Sequence, residues 1–305
     1  MPATLEDFTH PADKAALDKL KSVPLFSSAV QAFMKLFPER VLHGLNMANK
    51  IRLSPRQLPE IYRHLPPVCE RLNIAEPEFY LQMDPRPNAY TYGDKKVFVT
   101  VTSGLIEHLN EQEVRAVVAH ECGHIACQHV LYHTMATLFI QFGPVIFGPL
   151  SAVSLPLQYA LLYWMRRSEL SSDRAAAVAM SGSKPVVETM VRLSGGPKSI
   201  TQGVDLELYA QQADAYDKLM ESDWDSFLVG TVAMQQQHPF HAVRVREIIR
   251  WTKTPHFKKL MERLAKDKHA QRCANCGQEV KAKQKICTYC GKTVARAKRA
   301  VAANA

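Results

Sequence analysis

His120-Glu121-Cys122-Gly123-His124 is the stretch of this 305-residue chain whose residue types and spacing best suit chemistry. Two histidines at i and i+4 lie one turn apart on one helix face, so both imidazoles can reach one tetrahedral Zn2+. Glu121 between them is placed to take a proton from a metal-activated water that attacks a peptide carbonyl. A hydrolytic zinc needs a third protein ligand and one open position. A third histidine six residues beyond His124 is one way to supply it, but Val130 stands there. The remaining route is a carboxylate from a later helix. Ser168-Glu169-Leu170-Ser171-Ser172-Asp173 offers Glu169 as ligand, with Asp173 one turn on and on the same face. Asp173 would then fix the tautomer of a ligand histidine from behind. Taken alone, the two acids read more readily as ordinary solvated helix residues; the motif upstream reverses that preference.

Four cysteines form a second constellation. Cys273-Ala274-Asn275-Cys276-Gly277 and Cys287-Thr288-Tyr289-Cys290-Gly291 are two CxxCG knuckles ten residues apart. Four thiolates close a tetrahedral zinc with no position left for water, so this site is expected to be structural. Other groups near the first motif read more plainly. Cys122 and Cys127 are expected as buried thiols that behave as small hydrophobes. His129 and His133, a second i, i+4 pair with no Glu between them, are expected as partly exposed helix histidines.

The elements that must position these groups can be read from periodicity. Residues 1–75 look helical, with apolar residues at three- and four-residue spacing in Lys14–Val23, Ala29–Leu36 and Leu58–Leu72. Between Phe79 and Thr102 the period drops to two. Phe79–Met83, Ala89–Tyr92 and Val97–Val101 read as short strands, the last two joined by a turn at Gly93-Asp94. The motif helix follows, with Asn110 as its cap, Glu113 as capping-box partner and an apolar stripe of Val114, Val117, Val118 and Ile125. Further helices are expected over Arg166–Met180, Asp205–Met220, His238–Arg250 and Thr254–His269.

Composition bounds the class. At 47% hydrophobic and 22% charged the chain is globular rather than disordered or fibrous. Its net charge of +9 is local: residues 250–305 hold 15 basic and 3 acidic side chains, so residues 1–249 carry −3. The first 22 residues hold four acids and no apolar core, unlike a secretory signal. Cysteines used in CxxC pairs point to a reducing compartment. From Thr134 to Met165, 32 residues carry no charged side chain. His124 and Glu169 must meet at one ion, so the chain between them crosses a bilayer an even number of times, and two crossings need ~40 apolar residues plus a turn. The stretch is therefore expected to be a buried hairpin or one that faces a membrane surface, since Tyr163, Trp164, Arg166 and Arg167 form an interface-like rim.

In combination these residues resemble the HtpX-like and CAAX-prenyl-protease-type zinc endopeptidases, gluzincins in which a Glu is the third ligand. The resemblance covers about residues 70–250. It rests on Asn88-Ala89, Thr102-Ser103-Gly104-Leu105, Ala119 through His124, Glu169 with Asp173, and His238-Pro239 followed by Arg244. It implies that His120, His124 and Glu169 ligate the catalytic zinc and that Glu121 is the general base. It also implies a place near the metal for His238, as oxyanion stabiliser or as a fourth ligand that holds the enzyme latent. Arg244 would brace that loop or the active-site acids, and the strand at Asn88-Ala89 would pair with an extended substrate.

The fold expected is α+β and predominantly α: a zincin-type catalytic domain with a small sheet beside the motif helix, plus a C-terminal zinc ribbon. The expected divisions are an N-terminal helical region (1–75), the metallopeptidase domain (76–252), a basic helix or linker (253–270), the ribbon (271–293) and a basic tail (294–305). The function expected is zinc-dependent endopeptidase action on protein substrates, with misfolded or membrane-associated proteins suggested by the resemblance. The rival is a non-catalytic zinc-binding adaptor whose ribbon and tail bind a protein or nucleic-acid partner. One catalytic and one structural Zn2+ are expected, and a cytoplasmic location, either free or peripheral on the inner face of a membrane.

Overall fold

The computed structural model describes residues 2–24, 26–36, 39–147, 151–219 and 240–266, together with 271–273, 275, 279–280, 286–287 and 292–293 in the C-terminal module. The chain opens with helices α1 (Leu5–Phe8), α2 (Pro11–Lys21), α3 (Phe26–Leu36) and α4 (Glu39–Asn49), then strand β1 (Ile51–Arg52). The expected helix over Leu58–Leu72 is split into α5 (Pro59–Tyr62) and α6 (Leu65–Leu72). Strands β2 (Glu78–Gln82), β3 (Ala89–Tyr92) and β4 (Phe98–Thr102) lead into α7 (Ser103–His108) and α8 (Glu111–Ala126). The helices that follow are α9 (Val130–Phe147), α10 (Ser151–Ala179), α11 (Lys184–Gly195), α12 (Lys198–Thr201), α13 (Leu206–Leu219), α14 (His241–Thr252) and α15 (Pro255–Lys266). Two short strands, β5 (Gln271–Arg272) and β6 (Glu279–Val280), pair antiparallel in the C-terminal module.

The four-stranded sheet has the order β1-β2-β4-β3, with β2 and β4 parallel and the other neighbours antiparallel. β3 is therefore an edge strand, and it lies beside α8. Gly93 closes the turn after β3 at φ +131°, where a Cβ would fall 2.2 Å from the Lys96 carbonyl oxygen. The result is an α+β fold dominated by helix, as expected.

α8 starts where the sequence says it should. The Asn110 side chain accepts from the backbone N–H groups of Gln112 and Glu113, and Glu113 returns the bond to the Asn110 N–H. The same Glu113 carboxylate also receives Arg192 from α11 at 3.2 Å, tying the two helices below the cap.

The main core lies between the sheet, α6, α8, α10, α11 and α14. At the crossing of α8 and α10 the buried residues are small: Ala119, Cys122, Ala175 and Ala176. Gly123 is the limiting case. A Cβ on it would lie 2.8 Å from the Ser172 carbonyl oxygen, so only glycine lets α10 approach this closely. Adding even a methyl there would force the helices apart at about 1–3 kcal/mol. A second cluster joins α2 and α3 to α9 and α10 through Ala16, Leu20, Phe26, Met135, Leu161 and Trp164.

One expected boundary moves. The helix predicted to begin near Arg166 begins fifteen residues earlier, because α10 runs unbroken from Ser151 through Pro156 to Ala179. The uncharged stretch thus forms most of α9 and the first half of α10. Among the described residues no helix is long and apolar enough to cross a membrane.

Candidate functional site

Three helices converge on one buried point. α8 supplies His120, Glu121 and His124; α10 supplies Glu169 and Asp173; α14 supplies Arg244. The Nε2 atoms of His120 and His124 stand 3.2 Å apart. Glu169 reaches both, with Oε2 3.3 Å from His120 Nε2 and Oε1 3.3 Å from His124 Nε2. Zinc bonds of ~2.0–2.1 Å arranged as a tetrahedron separate the ligand atoms by about 3.3 Å. Two imidazoles and a carboxylate at that mutual spacing fit a zinc ion, and the donor set is one that catalytic zinc uses.

The groups behind these donors are ordered too. His120 Nδ1 lies 2.9 Å from Asp173 Oδ1, so Nδ1–H donates to the carboxylate, and Nε2 is the nitrogen turned to the shared point, where a metal would displace any proton it carries. Arg244 grips Asp173 with both edges of its guanidinium, Nε to Oδ2 at 2.8 Å and Nη2 to Oδ1 at 2.6 Å. Its Nη1 is 3.1 Å from Glu169 Oε2. Burial alone would raise the Asp173 carboxyl, but Arg244 outweighs it and holds the group down at about 2. Burial likewise disfavours a charged His120, yet Glu169 and Asp173 together lift it to about 9. For His124 burial wins over the pull of Glu169, and it drops to about 4.

Glu121 is buried and turned toward β3, where Thr91 donates its hydroxyl to Glu121 Oε2 at 2.7 Å. A cleft of about 580 Å3 opens on this point, lined by His120, Glu121, Asp173, Arg244, Asn88 and Ala89 among others. Asn88 is held at its rim by a backbone N–H bond to Thr102 Oγ1 at 2.9 Å. The structure thus brings together every sequence-predicted residue of the first constellation except His238, which lies outside the described residues. In the C-terminal module Cys273 and Cys287 are buried around Val280, while Cys276 and Cys290 lie outside the described residues.

Sequence reasoning missed three residues at the site. Thr91 shares a strand face with Ala89, so alternation along β3 could have found it. His129, expected to be partly exposed, is buried at 2% and sits 3.2 Å from His124, Nδ1 to Nδ1. Asp13 on α2 meets the far nitrogen of His129, with Oδ2 3.0 Å from Nε2. Nothing local marks that contact.

Comparison with known proteins settles the family. The profile of peptidase family M48 matches residues 55–252, well over half of the chain. The chain belongs to peptidase family M48. It is a zinc-dependent metalloprotease, a hydrolase acting on protein or peptide substrates, and the adaptor reading finds no support. This M48 peptidase is 33% identical over 262 residues to the plastoglobule-localized metallopeptidase 48 of the Arabidopsis thaliana chloroplast, covering 85% of this chain and 76% of that protein. It is 26% identical over 205 residues to a protease HtpX homolog of Ralstonia nicotianae, covering 59% and 66% respectively. It is 25% identical over 175 residues to that of Pelotomaculum thermopropionicum, covering 56% and 59%. The chain therefore spans under two thirds of either HtpX homolog. No solved structure matches it significantly.

Proposed function

We propose that this M48 peptidase is an endopeptidase whose catalytic zinc is held by His120, His124 and Glu169, with Glu121 as general base. The observation that carries the reading is the mutual spacing of 3.2–3.3 Å among the three donor groups. A zinc ion held there would supply Lewis acidity, lowering the pKa of water and polarising a carbonyl oxygen. The protein's own residues do the rest. Glu121 Oε2, oriented by Thr91, takes the proton from the attacking water and passes it to the leaving amine nitrogen. Asp173 keeps the His120 Nδ1 proton in place. Arg244 has its three nitrogens engaged with Asp173 and Glu169, which favours a brace for the acids over an oxyanion donor. Part of the cleft wall is apolar (Leu105, Val117, Val186, Met190) and Asn88-Ala89 stands at its rim, which suits an extended peptide with an apolar side chain beside the scissile bond. The role of His238, oxyanion stabiliser or fourth ligand, rests on the family resemblance.

Cys273, Cys276, Cys287 and Cys290 are part of the same proposal, as the ligands of a second, structural zinc; the burial of Cys273 and Cys287 around one valine supports it. So is a membrane-facing role for residues 134–165 in a cytoplasmic enzyme, supported by their lack of charge. Flotation with anionic vesicles tests that part, and a protein that never floats overturns it.

Elemental analysis should find two zinc ions in the full chain and one in a chain ending at Lys268. Glu121→Gln should keep both metals and lose at least ~100-fold in turnover of an unfolded protein substrate, the low end for a proton-transfer group. Full activity in that variant would sink the mechanism.

A further inference from the structure

The end of α8 is built in an unusual way. Cys127 caps the helix, Gln128 takes the left-handed conformation at φ 60°, and the chain doubles back. Its N–H bonds to the Ile125 carbonyl at 3.0 Å, and the His129 N–H bonds to the His124 carbonyl at 2.9 Å. These are the paired 5→2 and 6→1 bonds of a Schellman motif, a geometry that commonly brings the side chain after the cap against the one three positions inside it. In most helices that contact is between apolar groups. Here it is between imidazoles, His129 on His124.

Proton positions along this contact are determined by its two ends. If His124 Nε2 faces the metal, its ring is neutral with the proton on Nδ1, and Nδ1–H must donate to His129 Nδ1. His129 is then left with its proton on Nε2, which donates to Asp13 Oδ2 at 3.0 Å. Asp13 is an anion suited to receive it: burial would raise its carboxyl, but His129, Ser171 and Trp164 hold it low. The Trp164 indole donates to Oδ1 at 2.9 Å and the Ser171 hydroxyl to Oδ2 at 2.5 Å. Three donors converge on one buried carboxylate, and only one of them leads to the metal centre. Other rings around His129 are those of His133, stacked at 5.9 Å, and Trp164, edge-on at 5.4 Å.

We propose that Asp13 and His129 are positioning residues for the catalytic metal: a relay, Asp13–His129–His124, that fixes the tautomer and orientation of the second ligand histidine from helix α2. This rests on the reading of His124 as a metal ligand. The N-terminal helix lies outside the stretch matched by the family profile, so on this view a segment beyond the shared domain completes the metal site. Without the Asp13 charge, the His129 proton is free to move to Nδ1, where it opposes the His124 Nδ1–H. Relief of that clash moves the His124 proton to Nε2, the atom the metal needs.

The test is metal affinity in the full-length protein, read by chelator competition with zinc and by the visible spectrum of the cobalt-substituted form. Thiolate charge-transfer bands separate cobalt in the cysteine module from cobalt at the histidine site. Asp13→Asn removes the charge at constant size and should weaken metal binding at the histidine site about tenfold, with a shifted cobalt band; outer-shell partners of ligand histidines typically matter 10–100-fold. His129→Gln reads the same link from its other end and should do the same, while the double variant is no weaker than either single one. Trp164→Phe and Ser171→Ala remove the other two donors on Asp13; they should lower the unfolding midpoint and leave metal affinity within about twofold. Unchanged affinity in Asp13→Asn or in His129→Gln overturns the relay, as do independent, additive losses in the double variant. His124→Ala keeps the two readings apart: if it retains the metal, the ligand assignment fails, and not merely the relay behind it.

Discussion

His120 and His124 sit one turn apart on the same helix, equally buried and facing the same carboxylate, yet they are supported in opposite ways. Behind His120 is a carboxylate in direct contact, itself clamped by a guanidinium, all three groups coming from inside the family domain. Behind His124 is another imidazole ring, with the carboxylate one step further away on the N-terminal helix. Burial disfavours the charged form of both rings; Glu169 and Asp173 outweigh it at His120 and lift it to about 9, while at His124 burial prevails over Glu169 and the ring drops to about 4. On the proposed ligand assignment, one metal centre is oriented by two arms of different reach, only one of which lies within the stretch matched by the family profile.

The sharpest way to break the comparison is to remove the clamp. Arg244→Met leaves Asp173 and Glu169 buried without their cation, and breaking such a pair from one side typically costs 3–5 kcal/mol. Urea unfolding of the full chain should show a loss of about that size. A loss below about 1 kcal/mol would mean the two acids do not depend on Arg244, and the distinction between the arms would collapse.

Next in size is the contrast between the two carboxylates themselves. Asp173→Asn should weaken zinc binding toward the ~100-fold end of the range for outer-shell partners, and Asp13→Asn toward the ~10-fold end, because the relayed arm acts through one more hydrogen bond. Chelator competition on both variants measures the ratio. The reverse order would mean that the N-terminal helix, and not the domain's own arginine clamp, is the stronger determinant of the site.

The two arms also differ in how far they could be read from the sequence. His120 and His124 are four residues apart, as are Glu169 and Asp173, and helical periodicity alone puts each pair on one face. The strands β2 to β4 and the start of α8 were legible for the same reason, since alternation and a capping box are local signals. What brings the two pairs together is the close approach at Gly123, where glycine is required by the Ser172 backbone of a helix that begins earlier than its uncharged, proline-containing sequence suggests. The second arm has no local signal. Asp13 and His129 are 116 residues apart and meet only because α2 packs on α9 and α10. His129 was misread because it follows a helix stop that the sequence does not mark: the left-handed residue there is Gln128, where glycine or asparagine is the usual choice.

That unmarked stop allows the smallest and most discriminating change. A left-handed glutamine costs roughly 1–2 kcal/mol in backbone sterics, while glycine adopts the conformation without strain but loses more chain entropy on folding. The two effects leave Gln128→Gly more stable by about 0.5–1 kcal/mol, visible as a raised urea midpoint. Gln128 is exposed, so its side chain takes no part in the relay. If the turn's only task is to hold His129 against His124, relieving its strain should leave zinc affinity unchanged while stability rises. If affinity falls as stability rises, the strain itself is used at the site, pressing the His129 ring onto its neighbour, and the second arm works by mechanical constraint as well as by hydrogen bonding.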